Sequence, residues 1–147
     1  MRIELPYGRG RTAVLLPEER VRAVLSPPLS TRYPAIPAEE LVARALASPI
    51  GSPPLEELAR GKKHVVLLAS DHTRPVPSKV IVPPMLSAVR RASPDARITL
   101  LIATGCHRGT TREELEVKFG RELLEQVEVV VHDCADRDSM VSLGTLP

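Results

Sequence analysis

Apolar residues recur along the chain in short blocks, and the change in their spacing marks its organisation. Ile3 and Leu5, then Val14, Leu15 and Leu16, flank Tyr7-Gly8-Arg9-Gly10. Two short β-type runs around a glycine-containing turn predict a hairpin. Pro27, Pro28, Pro34 and Pro37 predict an extended surface segment over 26–37. Leu41, Val42, Ala45 and Leu46 share one helical face, which predicts a short helix over 38–47. The Pro- and Gly-rich stretch 48–54 stops it, and a second short helix over 55–60 ends at Gly61.

From residue 62 the pattern changes. His64-Val65-Val66-Leu67-Leu68-Ala69 is a nearly unbroken apolar run, which suits a parallel strand buried on both faces. A helix follows over 78–91, with Pro83-Pro84 bending it. Residues 97–103 form a second strand. Thr111-Arg112-Glu113-Glu114 is a capping-box pattern opening a helix that carries Leu115, Phe119, Leu123 and Leu124. Residues 127–131 make a third strand, and 140–144 begin a fourth. The alternation predicts an α/β fold. It is Rossmann-like, a mostly parallel sheet with helices on both faces, preceded by an N-terminal β-hairpin. The organisation expected is a hairpin with short helices over 1–61 and a βαβαβ core over 62–147.

Composition narrows the function classes. A net charge of +2 spread along the chain gives no basic surface for nucleic acid. Tyr7, Tyr33 and Phe119 are the only aromatic residues, too few for stacking on bases. No apolar run reaches membrane-spanning length, and Met1-Arg2-Ile3-Glu4 lacks the apolar core of a secretory leader. The expected compartment is the cytoplasm, with no membrane or nucleic-acid partner. Cys106 and Cys134 form no metal-binding pair, and free thiols are the expectation there.

The chemistry gathers where the strands end. In an open parallel sheet, ligands bind at the carboxyl ends of the strands. The first strand delivers Asp71, His72, Thr73 and Arg74; the second Thr104, Gly105, Cys106, His107 and Arg108; the third His132, Asp133 and Cys134. Arg74 offers a planar fork of donors for a carboxylate or phosphate. Asp71 can orient an imidazole or accept from a ligand hydroxyl. Thr104-Gly105 lets backbone approach a ligand closely. His107 is the best general-base candidate, because imidazole titrates near neutral pH. The helix opening at Thr111 points N–H groups at the same edge, which favours an anion. Plainer readings stand beside these. Asp71 and Arg74 can cap a turn and pair on the surface, His107 can be a solvated loop residue, and His132-Asp133 can merely orient its loop. His64 reads as a strand-start residue, and His72 as a loop or solvent-facing one.

Ser-Asp-His-Thr-Arg-Pro-Val-Pro-Ser (70–78), Ala-Thr-Gly-Cys-His-Arg (103–108) and His-Asp-Cys-Ala-Asp (132–136) together resemble the N-terminal domain of the lactate racemase family. Tyr7-Gly8 and Pro49-Ile50-Gly51-Ser52-Pro53-Pro54-Leu55 also look like that family. The resemblance implies racemisation or epimerisation of a small 2-hydroxy acid by reversible hydride transfer to a nickel-pincer nucleotide. It implies that His107 is one of two acid/base histidines, and that Asp71, Arg74, Thr104 and Gly105 line the cofactor and substrate region. Cys106 departs from the pattern, which often has a small polar residue there. The cofactor-tethering lysine, the nickel-ligating histidine, the second catalytic histidine and a C-terminal domain lie further along in the family. None is assigned to this chain, so metal ligands here are none, and the chain alone is expected to be inactive.

Two other readings remain open. A stand-alone module for an anionic metabolite or nucleotide would need Arg74 and the Thr111 helix start but no histidine chemistry. A metal hydrolase would need His107, His132 and Asp133 to converge, although no local ligand motif brings them together.

Overall fold

The computed structural model describes residues 1–25 and 36–145. Most of the expected extended segment, residues 26–35, lies outside the described residues. The chain divides into two compact units, Met1–Ala35 and Ile36–Pro147.

The first unit is the hairpin. Strand β1 (Arg2–Tyr7) pairs antiparallel with β2 (Gly10–Leu15), from Arg2 opposite Leu15 to Tyr7 opposite Gly10. Gly8 and Arg9 close it, with Gly8 at φ +56°, where glycine lets a two-residue loop follow the strand twist. A 3₁₀ turn at Glu18–Arg20 follows.

In the second unit, helices α1 (Ala38–Ala47) and α2 (Leu55–Ala59) pack on α3 (Ser78–Ala92). Although they precede residue 62, they belong with the sheet. Pro83 and Pro84 sit inside α3. Lacking N–H groups, they deprive the Lys79 and Val80 carbonyls of their helical donors.

The sheet holds β3 (His64–Ser70), β4 (Arg97–Ala103) and β5 (Glu128–Val131), all parallel and in that order. Leu67 lies beside Leu100, and Leu101 beside Val130. Between β4 and β5 run α4 (Arg112–Phe119) and α5 (Arg121–Leu124). One apolar cluster joins Leu67, Ile98, Leu100 and Ile102 of the sheet to helical residues that include Val82, Val89, Leu115 and Phe119. Leu100, Ile102 and Val89 are fully buried, each contributing roughly 1.5–3 kcal/mol. The α/β class, the parallel sheet and the hairpin are therefore as the sequence predicts.

Two details differ from expectation. The apolar run at β3 is not buried on both faces: Val66 is 51% and Leu68 71% exposed. The cause is topological. Both crossovers step in the same direction along the sheet, and right-handed crossovers in one direction place their helices on one face. Cover on the opposite face is not built by the described residues. The second difference is at 140–144, where no strand forms. Met140, Val141 and Leu143 are exposed there, beyond a 3₁₀ turn at Arg137–Ser139. An isolated strand has no ladder to satisfy its backbone, and no neighbour is available among the described residues.

Candidate functional site

Strand β3 ends by carrying Asp71 down to 1% exposure. A carboxylate so deeply placed needs partners for both oxygens. Thr73 supplies two for Oδ1: its hydroxyl donates at 2.7 Å and its backbone N–H at 3.2 Å. The Asp-x-Thr spacing allows this tight local turn. The other oxygen, Oδ2, lies 2.6 Å from Nδ1 of His107. These hydrogen bonds, first that from Thr73 and then that from His107, lower the Asp71 carboxyl from 3.8 to about 2. Asp71 is therefore ionised and can only accept. The proton in the contact must sit on His107 Nδ1, so when the ring carries a single proton, Nε2 is the acceptor.

His107 arrives from β4 through a tight turn. The His107 N–H donates to the Thr104 carbonyl at 3.0 Å, with Gly105 at φ +58° between them. A side chain at Gly105 would meet nothing within 4 Å, so the space beside this turn is open. Thr104 is 1% exposed and ties β4 to β5: its hydroxyl donates to the His132 carbonyl at 2.8 Å and lies 3.1 Å from His132 Nδ1. A cleft of about 530 Å³ runs along this edge, lined by Leu68, Ser70, Asp71, Arg74, Thr104 and His107 among others. Among the described residues no side chain engages the Arg74 guanidinium, and the Arg74 carbonyl is held by Lys118 at 2.8 Å. A second cleft of about 370 Å³ lies among α1, α2 and α3. Its charged residues, Glu56 and Arg91, are already paired with each other, so it offers no comparable chemistry.

The structure thus brings Asp71, Arg74, Thr104, Gly105 and His107 to one place. It does not bring the others there as ligands. Asp133 turns back on its own loop, accepting from the Ala135 N–H at 2.9 Å. His72 bonds Thr110 at 3.1 Å and stays beside Glu114, pinning its loop to the start of α4. His64 joins Thr99 at 2.9 Å at the opposite end of the strands. Cys106 and Cys134 are free, exposed thiols. No group of three metal-ligating side chains converges among the described residues, which removes the arrangement a His107–His132–Asp133 hydrolase needs.

The start of α4 is also not an open anion site. Glu114 takes the Thr111 N–H at 2.9 Å, and the Thr111 hydroxyl takes the Glu114 N–H at 3.3 Å. Glu114 is paired with Arg108 as well, and this contact first, then the backbone bond, lowers its carboxyl to about 2. The helix start is filled by its own carboxylate.

Thr73 and Thr110 were missed as supports by sequence reasoning. The Asp-x-Thr spacing was the available signal for Thr73; nothing in the sequence pairs Thr110 with His72. The Ser70 hydroxyl is buried at the same edge without a hydrogen-bond partner among the described residues. No helix among them is long and apolar enough to cross a membrane.

The family model of the lactate racemase N-terminal domain matches residues 7–147. The lactate racemase of Thermoanaerobacterium thermosaccharolyticum is 44% identical over 145 residues, covering 99% of this chain and 34% of that protein. The lactate racemase of Lactiplantibacillus plantarum is 43% identical over 145 residues, with the same coverage of 99% and 34%. The structure of the T. thermosaccharolyticum lactate racemase apoprotein superposes with a TM-score of 0.83 at 43% identity, over 100% of this chain and 34% of that one. The chain thus spans about a third of the length of these relatives. With its fold and nearly its whole length matched, the chain belongs to the lactate racemase N-terminal domain family.

Proposed function

We propose that the chain supplies one wall of the active site of a 2-hydroxy-acid racemase or epimerase, whose remaining wall comes from a C-terminal domain of the same protein. The observation that carries this reading is the ionised Asp71 held against His107 Nδ1, in a family whose named relatives are lactate racemases.

In this reading His107 Nε2 takes the proton from the substrate hydroxyl, and Asp71 steadies the imidazolium that results. Arg74 binds the substrate carboxylate or a cofactor phosphate through its planar fork. The open space at the Thr104–Gly105 turn and the unengaged Arg74 guanidinium fit a bulky anionic group. Thr104, Gly105 and Arg74 would hold it, and Asp71 would act on it only through His107. A nickel-pincer nucleotide bound there would accept the hydride from the hydroxyl-bearing carbon and give it back. His107 would hold the hydroxyl proton on Nε2 and give it back to the substrate oxygen when the hydroxyl is reformed. The tether and the metal ligands are assigned to no residue of this chain.

Following the optical rotation of lactate with the full-length, cofactor-loaded protein tests the reading. His107→Ala is expected to abolish racemisation, and retention of the full rate would sink the assignment. The stand-alone anion module loses one of its two anchors, because Glu114 fills the α4 start.

A further inference from the structure

We infer that Thr73 is a positioning residue, whose hydroxyl fixes the Asp71 carboxylate so that its second oxygen meets His107 at Nδ1. The catalytic consequence rests on the reading of His107 as the base; the positioning itself stands on geometry alone.

Each Asp71 oxygen is committed to one side. Oδ1 receives the Thr73 hydroxyl at 2.7 Å and Oδ2 receives His107 at 2.6 Å. Without the hydroxyl, Oδ1 would keep only the longer 3.2 Å bond from the Thr73 N–H, a weaker hold on a terminal torsion that is broad. With the hydroxyl in place, the plane of the carboxylate is fixed, and so is the direction in which it pulls the imidazole N–H. The Thr73 oxygen also lies 3.4 Å from His107 Nδ1. Its own proton is given to Asp71, so toward the ring it can only accept. Thr73 therefore reinforces the Nδ1–H form from two directions, once through Asp71 and once across this longer contact. Fixing that form is what leaves Nε2 unprotonated and turned away from Asp71.

A purely local role makes a different prediction. The Thr73 backbone N–H also donates to Asp71 Oδ1, at 3.2 Å, so the turn retains a bond when the hydroxyl is gone. Thr73→Val keeps the branched shape and the backbone bond while deleting only the hydroxyl. Thr73→Ser keeps the hydroxyl.

The test uses the full-length protein with 15N-labelled histidine, the His107 signals being assigned by their loss in His107→Ala. In the wild-type protein the ring nitrogens should report the Nδ1–H form. Thr73→Val should give mixed ring forms, and Thr73→Ser should restore the wild-type pattern. With cofactor and lactate, Thr73→Val should lower kcat about tenfold with KM within about twofold, and Thr73→Ser should recover it. Unchanged ring signals in a folded Thr73→Val protein would overturn the inference. Altered ring signals with wild-type turnover would uphold the positioning and overturn the reading of His107 as the base.

Discussion

Asp71 Oδ2 and His107 Nδ1 lie 2.6 Å apart although 36 residues separate them in sequence. Adjacent parallel strands make the meeting possible: Ser70 is in register with Ala103, so both loops leave the sheet at the same level. Asp71→Asn keeps the shape but lets the amide donate to the ring, which favours the opposite form of His107. In the full-length protein, kcat for lactate should fall by at least about 10²-fold with little change in KM. Steady-state kinetics on lactate would check this.

Acid should weaken the fold through two carboxylates. Asp71 sits at about 2 against an ordinary 3.8, and Glu114 at about 2 against 4.5. Both are more acidic folded than unfolded. Their stabilisation is therefore complete above the ordinary values and is lost as the pH falls from 4.5 to about 2. Thermal melts across that window should show a falling midpoint, and Asp71→Asn and Glu114→Gln should each flatten the slope.

Arg74→Lys keeps the charge but loses the fork. Because no side chain engages Arg74 among the described residues, the melting midpoint should stay put. Binding of a carboxylate or phosphate should weaken about tenfold, corresponding to roughly 1.4 kcal/mol, visible as a raised KM.

Gly105→Ala tests the turn behind His107. The added methyl meets open space, so the cost comes from φ +58° alone, about 1–2 kcal/mol. Denaturant titration should show that loss, and His107 should be misplaced with it.

In the core, Leu100 is 0% exposed at the centre of the sheet. Leu100→Ala should cost about 2–5 kcal/mol, read from the same titration.

The elements of this fold were largely legible because each has a local cause. The run at 64–69 is too short and too apolar for a surface helix, and the Thr111–Glu114 pattern names its own helix start, confirmed by both reciprocal bonds. The site was legible as a set of residue types at strand ends, and Asp71, Arg74, Thr104, Gly105 and His107 do share one edge. What could not be read was pairing. Which histidine Asp71 would hold depends on strand register, and His72, next to it in sequence, turns instead to Thr110. Nor does composition say that Glu114 would occupy the helix start where an anion was expected. The exposure of Leu68 was equally hidden, because a hydrophobic run carries no information about which face its helices will choose.

That choice of face constrains how the sheet can grow. A parallel strand added beyond β5 would continue the same stepping and send its crossover over the face already covered. One added beyond β3 would reverse the stepping, and its crossover would have to run across Val66, Leu68 and Val130. The carboxyl end of β3 would then become the point where strand order switches, the crevice in which open α/β sheets seat their ligands, with Asp71 and Arg74 standing at its mouth.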